Sequence, residues 1–188
     1  MLAVTIIELI NTLPQVGSVK WIGVRPAKPA PMVPYEQVEV QVGQGIIGDR
    51  FKATRTDREV TLIQSEHIIA MGSMLGRYSL SHAIHHANDQ PIETTGEQIT
   101  IQPIDPSILR RNIVIEGLNL LALKGKQFRI GSVVMEYTGL AHPCSKMEVA
   151  LGPGGYNAMR GHGGITARVI ASGILHRLDS IVVHDQQN

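Results

Sequence analysis

Apolar residues fall in short runs along the chain, many of them β-branched, and glycine or proline bounds most of these runs. Such runs are typical of β-strands, because branched side chains pack well on a pleated surface while glycine and proline favour turns. The pattern predicts strands at residues 19–25, 38–42, 59–63, 98–102, 127–139, 165–170 and 180–184. We expect a mainly β protein whose sheet is mostly antiparallel.

Helix signals are fewer and shorter. Ser65 is predicted to cap a helix that follows it, and the Asp-Pro step at 105–106 predicts a short helix ending at Asn112. A third helix is predicted over 143–151, between a proline and a glycine, which places Cys144 in its first turn. An apolar strand is expected directly after Asn112. The four prolines of residues 25–34 exclude a helix or a central strand and predict an extended surface loop.

Composition narrows the class of protein. The chain has 188 residues, 43% of them apolar, which suits a single domain over 1–188 with a substantial core. Seventeen Lys and Arg against sixteen Asp and Glu leave a net charge of +1, so neither a nucleic acid nor a membrane is an expected partner. The N-terminal apolar stretch contains Glu8 and lacks the features of a signal peptide. With one unpaired cysteine, this favours the reducing cytoplasm.

Cys144 is the only cysteine, so it cannot form an intramolecular disulfide. It is either a small buried hydrophobe or a residue kept for its sulfur chemistry. A helix N-terminus, together with positive charge from Lys146 or His142, would favour the thiolate, which is a nucleophile and a soft metal ligand. The flanking Pro, Ser and Lys argue against a fully apolar pocket.

Three other patterns have a functional and a structural interpretation. Arg110 and Asn112 are either a solvated helix end or a clamp for phosphate oxygens. The glycine-rich segments 43–51 and 151–165 are either tight turns or places where the backbone approaches a ligand closely. The histidine-rich segment 81–89 offers His82, His86 and Asp89 to zinc, although such clusters are more often surface polar residues.

Taken together, the segments GDRF, EVTLIQSEHI, LRRNIVIEG, KQFRIGSVVMEYTG, HPCSKME and LGPGGYNAMRGHGGITARV occur in the order seen in MOSC domains. This family is named after the C-terminal domain of molybdenum-cofactor sulfurase. The chain resembles its stand-alone bacterial members over about residues 18–183. The resemblance implies a β-barrel-like fold of mixed strand directions with a few short peripheral helices, and a site for the molybdenum–pterin cofactor.

The resemblance also implies roles for single residues. Cys144 matches the cysteine that ligates molybdenum, and Arg110 and Asn112 match residues that hold the pterin phosphate. Ser65 lies near a phosphate-contacting position of the family, and Asp49 and Arg50 of GDRF are expected at the rim of the pocket. No pyridoxal phosphate is expected, because the sulfurase holds it in a large separate domain. Phe51 stands where the family more usually has histidine, so a role for that histidine does not transfer.

Two functions need Cys144 in this interpretation. The first is a molybdenum-dependent reductase of N-hydroxylated small molecules, supplied with electrons by a flavin or iron–sulfur protein, because one cysteine cannot hold a cluster. The second is a sulfur carrier that receives a persulfide on Cys144 from a sulfur donor, with Lys146 stabilising the anion. A cofactor-free thiol redox sensor ranks last, since it has no resolving cysteine and leaves Arg110 and Asn112 without a role.

Overall fold

Strands dominate the computed structural model, which describes residues 4–28, 30–50, 57–81, 98–101 and 104–184. Within these ranges the strands are β1 (Gly17–Val24), β2 (Val33–Tyr35), β3 (Gln37–Gln41), β4 (Gly45–Ile46), β5 (Val60–Gln64), β6 (Tyr78–Ser81), β7 (Gln98–Ile101), β8 (Ile113–Glu116), β9 (Gln127–Ile130), β10 (Val133–Leu140), β11 (Ile165–Ala171), β12 (Gly173–His176) and β13 (Ser180–Val183).

The helices of the described ranges are short. They are α1 (Ile6–Asn11), α2 (Ser65–Met74), α3 (Ser145–Leu151) and α4 (Gly155–Met159), with two 3-10 segments at Pro106–Leu109 and Leu120–Leu123. None of the helices in the described part of the chain has the length and apolar character needed to cross a membrane.

Seven strands close a barrel in the order β13-β9-β10-β11-β5-β8-β1, and pairing of β1 with β13 completes the ring. Every pair in the ring is antiparallel except β5 with β8, which is parallel. These pairings confirm the predicted mainly β fold, a barrel with mixed strand directions. Outside the ring, strand β2 pairs with the last residues of β1. Strands β12, β3 and β4 form a second sheet, and β6 pairs with β7.

The parallel pair β5–β8 separates two cores. Alternate side chains of a strand point to opposite faces, so Leu62 faces the barrel interior while Ile63 and its neighbour Val114 face outward. On the outer side, Ile63 and Val114 pack with Met71 of α2 and Met147 of α3. The helices therefore cover this side of the barrel, and α3 is fixed beside the ends of β5 and β8.

The predicted strand at 127–139 is wrong in one respect. It is a hairpin, in which Gly131 adopts a positive φ of 55° and turns β9 back onto β10. Glycine is the residue that takes such a conformation without a steric cost. The other predicted strands agree with the structure to within about two residues. Strand β2 overlaps the end of the proline-rich segment, but Pro34 is on an edge strand, where its missing N–H costs little.

The predicted helix boundaries also need correction. Gln64 is the N-cap of α2, but its side chain makes no capping hydrogen bond, and Ser65 is the first helical residue. Asp105 does cap the first 3-10 segment by accepting from the Ser107 N–H at 2.8 Å, but that segment ends at Leu109 rather than at Asn112. Cys144 is the N-cap of α3 and lies just before its first turn.

Candidate active site

A cleft of about 580 Å³ opens at the end of the barrel where β1 finishes and β5 and β8 begin. Its lining comes from five parts of the sequence: the segment after β1, the GDR turn at 48–50, the start of β5, the start of β8, and the loop between β10 and α3 with the first turn of α3. We call it the arginine cleft, because five arginines line it: Arg25, Arg50, Arg58, Arg110 and Arg111.

Positive charge exceeds negative charge in the arginine cleft. Only Asp49 and Glu59 oppose the five guanidinium groups among the described lining residues. The pKa of Arg25 is lowered, first by burial and then by the positive charges of Arg110 and Arg50. An anion bound here would reduce that repulsion, and guanidinium groups bind phosphate and carboxylate oxygens in a bidentate manner. The cleft is suited to an anionic ligand.

Arg110 reaches the cleft because its backbone adopts the left-handed conformation, with φ 58° and ψ 38°. This conformation is unfavourable for a residue with a side chain, and it ends the 3-10 segment. The Nη1 of Arg110 donates a hydrogen bond to the Sγ of Cys144 at 3.6 Å. Its Nε is buried and has no hydrogen-bond partner within the described residues. Arg110 therefore keeps a donor available for a ligand.

Cys144 is exposed and lines the arginine cleft, so it is not a buried structural cysteine. Its carbonyl oxygen accepts the Met147 N–H at 2.8 Å, which anchors the residue at the start of α3. His142 lines the same cleft. Lys146 is exposed and lies elsewhere, in the wall of a neighbouring depression. The positive group that the structure places beside the thiol is thus Arg110.

Arg111, for which the sequence analysis predicts no role, has a structural position. It is 6% exposed, and it donates to the carbonyl oxygens of Gly163 and Ala141 at 2.7 Å each. Longer bonds reach three further carbonyls. Burial lowers its pKa to about 10, so the group is still charged at neutral pH. Arg111 ties the loop after β10 to the loop before β11.

Asn112 is buried at the start of β8 and is largely engaged by the protein. Its Oδ1 accepts from the Thr61 N–H at 3.1 Å and from the Thr61 hydroxyl at 2.7 Å. Its Nδ2 donates to the Gly23 carbonyl at 3.3 Å. An amide nitrogen carries two hydrogens, so one hydrogen is left for a ligand in the cleft that Asn112 lines. The residue joins three strands as well as facing the site.

The GDR turn is held against the end of β1. The Arg25 N–H donates to Asp49 Oδ1 at 2.8 Å, and the Arg50 N–H donates to the Arg25 carbonyl at 2.8 Å. The sequence analysis expects Asp49 and Arg50 at the rim of the cofactor pocket. In the structure both residues line the arginine cleft. Ser65 is not among the residues that line it, and its hydroxyl donates to Glu66 Oε2 at 3.2 Å.

The glycines of the segment 151–165 serve packing at two positions. A Cβ at Gly163 would collide with the Ala141 carbonyl oxygen, and one at Gly164, whose φ is +82°, would collide with the Leu62 carbonyl oxygen. These glycines allow the two backbone segments to pack closely beside the cleft.

The zinc hypothesis at His82, His86 and Asp89 falls outside the described residues. Within the described ranges, no three His, Cys, Asp or Glu side chains lie together as a metal site would require.

Comparisons with known proteins agree on one fold. The sequence model of the MOSC domain matches residues 54–182. The solved structure of the YuaD protein from Bacillus subtilis superposes with a TM-score of 0.67 at 17% identity, covering 94% of this chain and 100% of that chain. YiiM from Geobacillus stearothermophilus gives 0.63 at 16% identity, covering 90% and 76%. YiiM from Escherichia coli gives 0.60 at 14% identity, covering 90% and 71%. At these identities the structures show the fold alone. Among curated proteins no match to the chain is found.

Proposed function

Because the chain belongs to the MOSC domain family, we propose that it binds the molybdenum–pterin cofactor in the arginine cleft and reduces N-hydroxylated compounds. The approach of the Arg110 guanidinium to the Cys144 thiol at 3.6 Å, within a cleft lined by five arginines, supports this proposal most strongly. A soft sulfur ligand and an excess of positive charge are the two properties that a molybdenum centre and a phosphate-bearing pterin require.

The residues present fit this cofactor. Cys144, exposed beside a guanidinium, would ligate molybdenum as the thiolate, and Arg110 would bind the pterin phosphate through its unpartnered Nε. Arg50 and the remaining amide hydrogen of Asn112 would add to that contact. The contact predicted for Ser65 stays a prediction. Cys144 would be the protein's ligand to the metal in our proposal.

The reaction consumes electrons and protons in a fixed ratio. Reduction of an N-hydroxylated compound breaks the N–O bond, and two electrons and two protons convert the compound to its amine and water. When bound, the cofactor supplies the redox centre that passes these electrons to the substrate. The protein's own residues bind the phosphate, position the thiolate and orient the substrate. Arg110 contacts both the thiol and, in this proposal, the phosphate.

Electrons must come from another protein in this scheme. The single cysteine cannot hold an iron–sulfur cluster, so we infer an electron-donor protein that carries a flavin or an iron–sulfur centre. An exposed, unpaired Cys144 would persist in a reducing compartment, and we therefore place the reaction in the cytoplasm.

The exposure of Cys144 also favours a second candidate, a sulfur carrier. An accessible thiol beside Arg110 is able to receive a persulfide from a sulfur donor and deliver it to an acceptor, and the guanidinium would stabilise the persulfide anion. A carrier does not need to retain molybdenum or pterin. The two functions therefore differ in what is bound to the protein at purification.

Metal and pterin content decides between them. The protein is purified from a host that makes the cofactor, and molybdenum is measured by mass spectrometry and pterin by fluorescence after oxidation. We expect near-equimolar molybdenum and pterin in the parent protein, and a marked loss in Arg110→Ala. Arg129→Ala is the matched control, because Arg129 is exposed on β9 and its side chain hydrogen-bonds, within the described structure, to the Gly131 carbonyl alone. Sulfur released by cyanide without molybdenum would favour the carrier instead.

A further inference from the structure

A second depression of about 510 Å³ adjoins the arginine cleft. Four residues line both of them: Arg25, Met32, Arg110 and Met147. The two spaces thus share a wall, and a ligand large enough to extend past Arg110 would enter both. The depression was not anticipated from the sequence, because its lining joins the proline-rich segment, the first 3-10 segment and the outer side of α3.

The lining of this depression combines cationic and apolar residues. Lys28 and Lys146 are exposed, and Arg25 and Arg110 are half-buried. None of the described residues that line it is acidic. Its apolar atoms come mainly from residues 30–32 and from α3. Lysine and arginine around an apolar wall form a surface for a ligand that combines an anionic group with an uncharged body.

The two lysines have no role in the first cleft, since neither lines it. They are also absent from the ion pairs of the described residues. Lys28 stands on the segment after β1, and Lys146 stands on α3 next to Cys144. Two lysines carried by separate segments therefore line one depression, and Arg110 lines both this depression and the cleft that holds the thiol.

We propose that this depression binds a phosphate group of the substrate, so that the preferred substrates are phosphorylated N-hydroxylated compounds, such as the monophosphate of an N-hydroxylated nucleoside. This rests on the proposed reductase function. The reducible N–O group enters the arginine cleft near Cys144, and the phosphate lies against Lys28 and Lys146. The body of the molecule passes the wall formed by Arg110 and Met147.

Turnover tests the preference directly. The cofactor-loaded protein is assayed with hydroxylaminopurine riboside and with the 5′-phosphate of that riboside, using reduced viologen as electron donor. We expect the ratio of kcat/KM for the phosphorylated over the unphosphorylated compound to be about tenfold or more at low salt, and to fall about tenfold when Lys28→Ala and Lys146→Ala are combined. Lys124→Ala, an exposed lysine away from both spaces, should leave the ratio unchanged. A ratio near one in the parent, or an unchanged ratio in the double variant, would overturn the proposal.

Binding separates failure of this inference from failure of the reductase function. Adenosine and adenosine 5′-monophosphate are titrated calorimetrically into the purified protein, which requires no turnover. We expect the monophosphate to bind at least about tenfold more tightly, and the Lys28→Ala, Lys146→Ala double variant to lose most of that difference. Arg58→Ala is the matched control, because Arg58 lines only the arginine cleft. If Arg58→Ala abolishes the preference while the lysine variant keeps it, the phosphate binds in the first cleft and the proposal is wrong.

Discussion

The Sγ of Cys144 lies 3.6 Å from the Nη1 of Arg110, although the two residues are 34 positions apart. Cys144 is placed by the start of α3, and Arg110 is placed by the left-handed turn that ends the first 3-10 segment. The contact thus joins the two residues that the proposed chemistry most needs.

Two substitutions at Arg110 separate the backbone from the side chain. Arg110→Gly and Arg110→Ala both remove the guanidinium, but only glycine adopts the observed φ of 58° without a steric cost. We expect the glycine variant to be more stable than the alanine variant by about 1 kcal/mol, since the left-handed conformation costs a side-chain-bearing residue about that much. Urea unfolding followed by circular dichroism measures the difference. Equal stabilities would contradict the backbone conformation described for Arg110.

The buried hydrogen bonds of Arg111 are expected to stabilise the folded protein. Arg111→Lys keeps the positive charge but loses the planar group that reaches the Gly163 and Ala141 carbonyls together. We expect the free energy of unfolding to fall by about 2–3 kcal/mol, because two hydrogen bonds from a buried charged group are lost or weakened. The measurement is urea unfolding at pH 7, where a pKa of about 10 leaves Arg111 charged.

Arg58→Lys provides the comparison for Arg111→Lys. Arg58 also lines the arginine cleft but is exposed, so its replacement by lysine should change stability by less than about 0.5 kcal/mol. If Arg111→Lys were as well tolerated as Arg58→Lys, Arg111 would not hold the two loops together.

The sequence predicts most of the barrel strands because they are marked by local patterns of β-branched residues and by glycine or proline at their ends. The closed barrel itself was implied only by the resemblance to MOSC domains. The sequence also identifies Cys144 and Arg110, whose residue types carry the chemistry. Local pattern alone does not separate the roles of Arg110 and Arg111, which only the family resemblance distinguishes, since the left-handed turn at Arg110 involves no glycine to signal it. Arg25 and Arg58 were missed because only the closed barrel brings them together.

Asn112 is not the solvated helix end that was one of its two interpretations. The structure gives a buried amide bonded to Thr61 and Gly23 that also lines the cleft, and the phosphate contact stays a prediction. Hydrogen bonds between distant strands cannot be inferred from local pattern. For Lys146, closeness to Cys144 in the sequence suggested a contact with the thiol. In the structure Lys146 instead lines the neighbouring depression.

His67 is expected to make stability depend on pH. Its ring packs edge-on against that of His162 at 5.1 Å, and its Nδ1 is buried without a partner in the described residues. Burial lowers the pKa of His67, with a further lowering by His162, while Glu66 acts in the opposite direction. The unfolded chain, with a pKa near 6.5, then binds the proton more readily than the folded protein.

It follows that the stabilising contribution of neutral His67 is present above pH 6.5 and is lost as the pH falls through the lower folded value. Thermal unfolding between pH 7 and pH 5 should show a smaller decrease in stability for His67→Phe, which keeps an aromatic ring against His162, than for the parent protein. The same decrease in both proteins would mean that another group causes the pH dependence.

The Cys144→Ser variant tests the central claim most directly. Serine is nearly isosteric, and Cys144 is exposed, so the fold and the phosphate contacts of Arg110 should persist while the soft sulfur ligand is lost. The parent and the variant are loaded with cofactor, their pterin content is matched, and reduction of an N-hydroxylated compound is measured with a competent electron donor. We predict that the variant keeps bound pterin but loses reductase activity. Full activity in a folded, cofactor-loaded Cys144→Ser protein would contradict the assignment of Cys144 as the molybdenum ligand.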